Sequence, residues 1–259
     1  MKRFDAHFHI IDYDYEIQEN NGYWPPQYDI EEYRSATSDL EIAGGAIVSG
    51  SFQGFDQDYL IDALEHLGPR FVGVTQLPMS TTDEEIIRLN EQGVRALRFN
   101  VKRGGSESLE NLEYFAQRVY DLVGWHSELY IDSQQLPDIS PVIHRLPAIS
   151  IDHLGLSEEV LPHLLDAVDH GVRVKATGFS RVDLDVAQAM RQIYEVNPDA
   201  LMFGTDLPST RAPRPFSVED VHLIEDTFDA QACGKIFWEN AHEWYRICLL
   251  YTSPSPRDS

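Results

Sequence analysis

Residues 3–14 read RFDAHFHIIDYD, and this stretch decides between the two folds its surroundings allow. Its first part, RFDAHFH at 3–9, reads as a strand. An open doubly wound sheet that binds a nucleotide wants a glycine-rich phosphate turn after its first strand. This chain has HFHIIDYD there instead. Seven further β-rich runs follow: 45–50 (GAIVSG), 71–76 (FVGVTQ), 94–99 (VRALRF), 128–132 (ELYID), 148–152 (AISID), 172–177 (VRVKAT) and 200–205 (ALMFGT). Between them, apolar residues recur three or four apart at 56–67, 82–92, 107–123, 157–169, 182–196 and 217–228, the spacing of amphipathic helices. Ser80 or Thr81 before Asp83, and Ser157 before Glu158, supply capping chemistry at two of the helix starts.

Alternating strands and helices make a parallel sheet with helical crossovers. Eight strands favour closure, so the expected fold is a single-domain (β/α)8 TIM barrel over residues 1–248. The segment 11–44 is too long for a plain connection and carries GYWPPQY, which suggests a loop over the active face ahead of a helix near 30–40. The segment 133–147 is the other weak link in the alternation. The tail 249–259 (LLYTSPSPRDS) turns abruptly to Ser, Pro and charge, and reads as non-native or disordered sequence outside the barrel.

Composition narrows the function. With 20 basic and 43 acidic residues the net charge is −23, the wrong sign for a phosphate backbone, so no nucleic-acid partner is expected. No apolar run is long enough to span a bilayer and no apolar signal region follows the N-terminus, so no membrane is expected either. Cys233 and Cys248 are too few for a disulfide framework, which fits a cytoplasmic protein. A small-molecule substrate is the partner this leaves. Oligomeric state is not legible, and a homo-oligomer stays open.

Side chains two apart on a strand share a face. Asp5, His7 and His9 are therefore expected on the inner face of the first strand, with Phe4, Ala6, Phe8 and Ile10 on the other. Two imidazoles there can hold one metal ion or bind an oxyanion. In FGTDLP (203–208), Asp206 falls at the C-terminal end of the eighth strand, beside the first once the barrel closes. A carboxylate beside imidazoles can ligate a metal or move a proton from an attacking water to a leaving group. His153 in IDHLG (151–155), on the face of Ile149 and Ile151, joins the same rim. Arg98 near the end of the fourth strand, Lys175 on the seventh and Arg181 beyond it are cations near an apolar interior. They call for anions, either a substrate carboxylate or internal partners among Asp132, Asp152 and Asp206.

With DAHFHI at 5–10, GVRALRFN at 93–100, IDHLG at 151–155, VKATGFSR at 174–181, FGTDLP at 203–208 and KIFWENAHEWY at 235–245, the chain resembles the amidohydrolase superfamily. It is most similar to the branch containing 2-pyrone-4,6-dicarboxylate lactonase and the sugar lactonases. The resemblance implies a hydrolase in which water opens an ester ring, with Asp206 as general base and proton shuttle. His7, His9 and His153 would polarise or hold the carbonyl oxygen, and Arg98, Lys175 and Arg181 would bind substrate carboxylates. The chain departs from metal-dependent relatives at Tyr130–Gln134, where they add a histidine or carbamylated lysine, so a binuclear centre is not expected. One zinc ion on His7, His9 and Asp206 stays open, since three protein ligands plus water suffice, and so does catalysis without metal. Two alternatives stand beside lactone hydrolysis: zinc-dependent decarboxylation or hydration of an aromatic or unsaturated acid, and a catalytically inactive barrel used for binding.

Overall fold

In a computed structural model, described over residues 1–131 and 135–247, the chain alternates strand and helix throughout. The order is β1 (Arg3–Phe8), α1 (Ile30–Ala36), β2 (Ile42–Val48), α2 (Asp58–Leu67), β3 (Phe71–Thr75), α3 (Asp83–Glu91), β4 (Val94–Asn100) and α4 (Leu112–Val123). There follow β5 (His126–Tyr130), α5 (Leu136–Ile143), β6 (Ile149–Ile151), α6 (Leu161–Asp169), β7 (Arg173–Ala176), α7 (Val186–Val196), β8 (Leu201–Phe203) and α8 (Val218–Thr227). A C-terminal stretch adds α9 (Ala230–Gly234), a π-helical turn at Lys235–Glu239 and α10 (Asn240–Trp244). The eight strands are parallel and in sequential order, as a (β/α)8 barrel requires. The tail 249–259, Cys248 and Asp132 lie outside the described residues.

The seam between first and last strands closes above β8. Asp206 N donates to His7 O at 2.7 Å and His9 N to Leu207 O at 2.8 Å. Thr205 adds its backbone N–H and hydroxyl to the Asp5 carboxylate, at 2.8 and 2.7 Å.

Two predicted faces are corrected here. The register of β1 against β2 shifts between Asp5 and Phe8, so one extra residue interrupts the alternation. Phe4 and Ala6 pack with Ala46, Val72, Val74 and Met202 and with Tyr245, whose hydroxyl reaches Glu128 at 2.6 Å, inside the barrel. Asp5 instead lies toward the helices, taking a hydrogen bond from Tyr33 of α1. It therefore does not share the face of His7 and His9. On β6, Ile149 and Ile151 face the outer core, so His153 cannot reach the rim by alternation. A backbone turn carries it there, since His153 and Leu154 both have positive φ, at 51° and 52°.

Smaller corrections concern ends. β5 begins at His126 and not Glu128, and α3 is capped by Thr82, whose hydroxyl accepts from Glu85 N at 3.3 Å, and not by Ser80 or Thr81. The helix expected near 30–40 is α1, started by a capping box between Asp29 and Glu32. The residues before it form an irregular loop, pinned by an antiparallel bridge between Ile11 and Tyr28.

Candidate active site

The strand ends surround a small cavity whose wall includes His9, Arg98, Tyr130, His153, Arg181 and Asp206. His7 lies just beneath it, fully buried. His7 Nε2 and His9 Nε2 are each 3.8 Å from Asp206 Oδ1. The ring centroid of His153 is 5.1 Å from that of His7. The four residues expected to form the reaction centre thus do converge.

Close backbone approach makes this possible. A Cβ on Gly204 would sit 2.8 Å from His7 N and 2.9 Å from its Cβ, so only glycine lets β8 run past His7. Asp206 itself holds a left-handed backbone, φ 60°, as does Gly178, whose added Cβ would lie 2.5 Å from His153 Nδ1. Non-glycine residues in this region cost on the order of 1–3 kcal/mol and gather at functional sites.

Each predicted cation is paired inside the protein. Arg98 Nη2 meets Asp152 Oδ2 at 2.8 Å, Lys175 Nζ meets Glu128 Oε2 at 2.5 Å, and Arg181 Nε meets Asp206 Oδ2 at 2.6 Å. Three positive and three negative groups balance. Arg98 and Arg181 still border the cavity, but Lys175 lies below it with no exposure, so its expected contact with substrate is not what the geometry offers.

Burial pulls the His7 and His153 imidazoles down to about 3 and about 4, so both are neutral at physiological pH. Burial works against the Asp206 carboxylate, but the Arg181 charge and the neighbouring imidazoles outweigh it and hold Asp206 well below the usual carboxylate range. The arginine clamp occupies only Oδ2. Asp206 Oδ1, His7 Nε2 and His153 Nδ1 are buried without a hydrogen-bond partner among the described residues. Buried polar atoms are rarely left so, and Asp206 Oδ1 facing His7 Nε2 at 3.8 Å marks a place for a ligand.

The donor set also suits one divalent ion by spacing. Ligand atoms of His7, His9 and Asp206 lie within 4.8 Å of one another, and His7, Asp152 and His153 form a second, overlapping group. His9 is backed as a metal-bound imidazole usually is, with Nδ1 2.6 Å from Val48 O.

Sequence reasoning missed four residues. Glu128 and Tyr130 alternate with Leu129 and Ile131, and the inward face of β5 would have revealed them. Arg103 and Arg211 also border the cavity but sit in loops, where no periodicity marks them. Neither has a carboxylate within salt-bridge distance among the described residues. Arg211 lies 4.3 Å over the Tyr23 ring and donates to Asn20 O, and both burial and the Arg103 charge disfavour its protonated form.

The amidohydrolase family model matches residues 4–247. The chain belongs to that family. This amidohydrolase is 27% identical over 232 residues to the 2-pyrone-4,6-dicarboxylate hydrolase of Comamonas testosteroni, covering 79% of this chain and 76% of the relative. It is 27% identical over 229 residues to the 4-sulfomuconolactone hydrolase of Hydrogenophaga intermedia, covering 79% and 74%. Among solved structures, an Acinetobacter baumannii protein described as a probable 2-pyrone-4,6-dicarboxylic acid hydrolase, with citric acid bound, superposes with a TM-score of 0.82 at 21% identity. That match covers 95% of this amidohydrolase and all of its neighbour, and at this identity it bears on the barrel alone.

Proposed function

We propose that this amidohydrolase opens a lactone bearing anionic groups, by attack of water on the ring carbonyl with Asp206 as general base. The observation that carries the reading is the free Asp206 Oδ1, buried among neutral imidazoles at the foot of an arginine-rich cavity. Both relatives are named for hydrolysis, one of a pyrone dicarboxylate and one of a sulfomuconolactone, ring substrates that carry acid groups.

Arg181 holds Asp206 through Oδ2 and aims Oδ1 into the cavity, at a cost in basicity. Oδ1 accepts the proton of the attacking water and returns it to the ring oxygen as the carbon–oxygen bond breaks. The neutral imidazoles of His7 and His153 border the space where the carbonyl oxygen gathers negative charge, and donors placed there stabilise it before the reaction begins. Arg103 and Arg211, with no carboxylate at salt-bridge distance among the described residues, are the cations best placed to take the anionic substituents, with Arg98 and Arg181 behind them. If a divalent ion binds, His7, His9 and Asp206 hold it, and it supplies Lewis acidity and a more acidic water.

A turnover screen of neutral and acid-bearing lactones, with and without chelator, tests this reading on wild type, Asp206→Asn and His153→Ala. Hydrolysis of an acid-bearing lactone that both substitutions depress supports it. Lactone turnover untouched by either substitution in folded protein overturns it.

A further inference from the structure

Lys175 is the one predicted cation that borders no part of the cavity, and its contacts give it a different task. Its Nζ lies 2.5 Å from Glu128 Oε2, 3.7 Å from Asp152 Oδ1 and 3.3 Å from His7 Nδ1. An ammonium has three donors and no acceptor. The contact with His7 therefore runs from lysine to the ring lone pair, and a ring that accepts at Nδ1 carries its proton on Nε2.

Asp152 Oδ1 competes for that position at 3.4 Å. It pulls on a proton at Nδ1 by charge and by that longer contact, whereas the lysine at 3.3 Å is the partner that meets hydrogen-bond geometry, so with the lysine present the ring accepts there. His9 is the opposite case, because the Val48 carbonyl 2.6 Å from its Nδ1 can only accept. His9 thus carries its proton on Nδ1 and presents a lone pair at Nε2. The two imidazoles stand at the same distance from Asp206 Oδ1, 3.8 Å, with opposite chemistry.

We propose that Lys175 is a positioning residue that locks His7 as a hydrogen-bond donor toward the cavity, in the tautomer opposite to that of His9. Resting on the lactone reading, this makes His7 Nε2–H the donor that meets the developing oxyanion. It also sets a metal ion at a disadvantage. A cation needs the Nε2 lone pair, so the proton would have to move to Nδ1, against the lysine. Hydrogen-bond partners behind a metal-binding imidazole shift metal affinity by about 10–100-fold.

The test is two-bond ¹H–¹⁵N correlation spectroscopy of histidine-labelled full-length protein without substrate, with His7 and His9 assigned by His7→Gln and His9→Gln. We expect a protonated Nε2 on His7 and a protonated Nδ1 on His9. In Lys175→Met, the His7 proton moves to Nδ1, where Asp152 can accept it, and calorimetric zinc affinity rises about tenfold or more. On a lactone substrate kcat falls while KM stays within about twofold. Because Lys175→Met strands a buried carboxylate, Lys175→Met with Glu128→Gln is measured alongside it and should behave the same way. A wild-type His7 protonated on Nδ1, or tautomer and zinc affinity both unmoved in the folded double variant, overturns the proposal. Spectra and zinc affinity as expected without lactone turnover would instead count against the lactone reading alone.

Discussion

Asp206→Asn separates chemistry from folding at this site. The amide keeps the carboxylate's shape, and its oxygen can still accept from Arg181 Nε, now 2.6 Å from Oδ2. Its nitrogen then faces His9 Nε2, 3.8 Å from the present Oδ1, and can donate to that lone pair. What is lost is the proton acceptor and one full charge opposite a nearly buried guanidinium. General base catalysis contributes about 10²–10⁴-fold, which at 1.36 kcal/mol per decade is about 3–5 kcal/mol of barrier. Leaving the nearly buried Arg181 guanidinium without its counter-charge should cost on the order of 3–5 kcal/mol of stability, a fall in Tm of roughly 10 °C. The assay pairs kcat on an acid-bearing lactone with thermal unfolding followed by circular dichroism. The expected outcome is kcat down at least a hundredfold with KM within about threefold. A folded Asp206→Asn protein whose kcat stays within tenfold of wild type would refute the assignment of Asp206 as base.

Arg103→Gln and Arg211→Gln should each raise KM for an acid-bearing lactone by about 10–100-fold, the worth of a charged hydrogen bond, and leave a neutral lactone nearly unchanged; equal effects on both substrates would count against anion recognition. Gly178→Ala places a methyl 2.5 Å from His153 Nδ1 on a backbone with φ 62°, so it should lower kcat about tenfold or more and cost on the order of 1–2 kcal/mol in urea unfolding; wild-type kinetics would show that the position of His153 does not matter. Burial pushes the Asp5 carboxyl up to about 6, against the donors of Thr205, His7 and Tyr33. A folded value above the unfolded one means the native state binds the extra proton, so this contribution is present below about pH 4 and is lost as pH rises through about 6. The difference in unfolding free energy between wild type and Asp5→Asn should therefore shift against wild type across that window, and a flat difference would argue that Asp5 titrates normally.

Much of the site was legible because strand alternation is a local rule. On β4 and β7 it held, so Arg98 and Lys175 were expected inside and are found there, while Asp206 was expected at the rim and reaches it. It failed on β1, where one extra residue between Asp5 and Phe8 turned Asp5 toward Tyr33 and the helices. It failed again at His153, whose route to the rim is a left-handed turn that no two-residue period encodes. Glu128 went unnoticed although its alternation with Leu129 was in plain view, because a lone glutamate in ELYID does not announce the lysine it meets on β7.

The order of strands and helices, the acidic surface charge and the residue types at the strand ends follow from the chain itself, since period, composition and turn chemistry act over a few residues. Which cation pairs with which carboxylate, and which nitrogen of His7 carries the proton, depends on groups as far apart in sequence as residues 7 and 175. Only barrel closure brings those groups to hydrogen-bond distance, and at that distance the direction of a single donor decides what an imidazole can do.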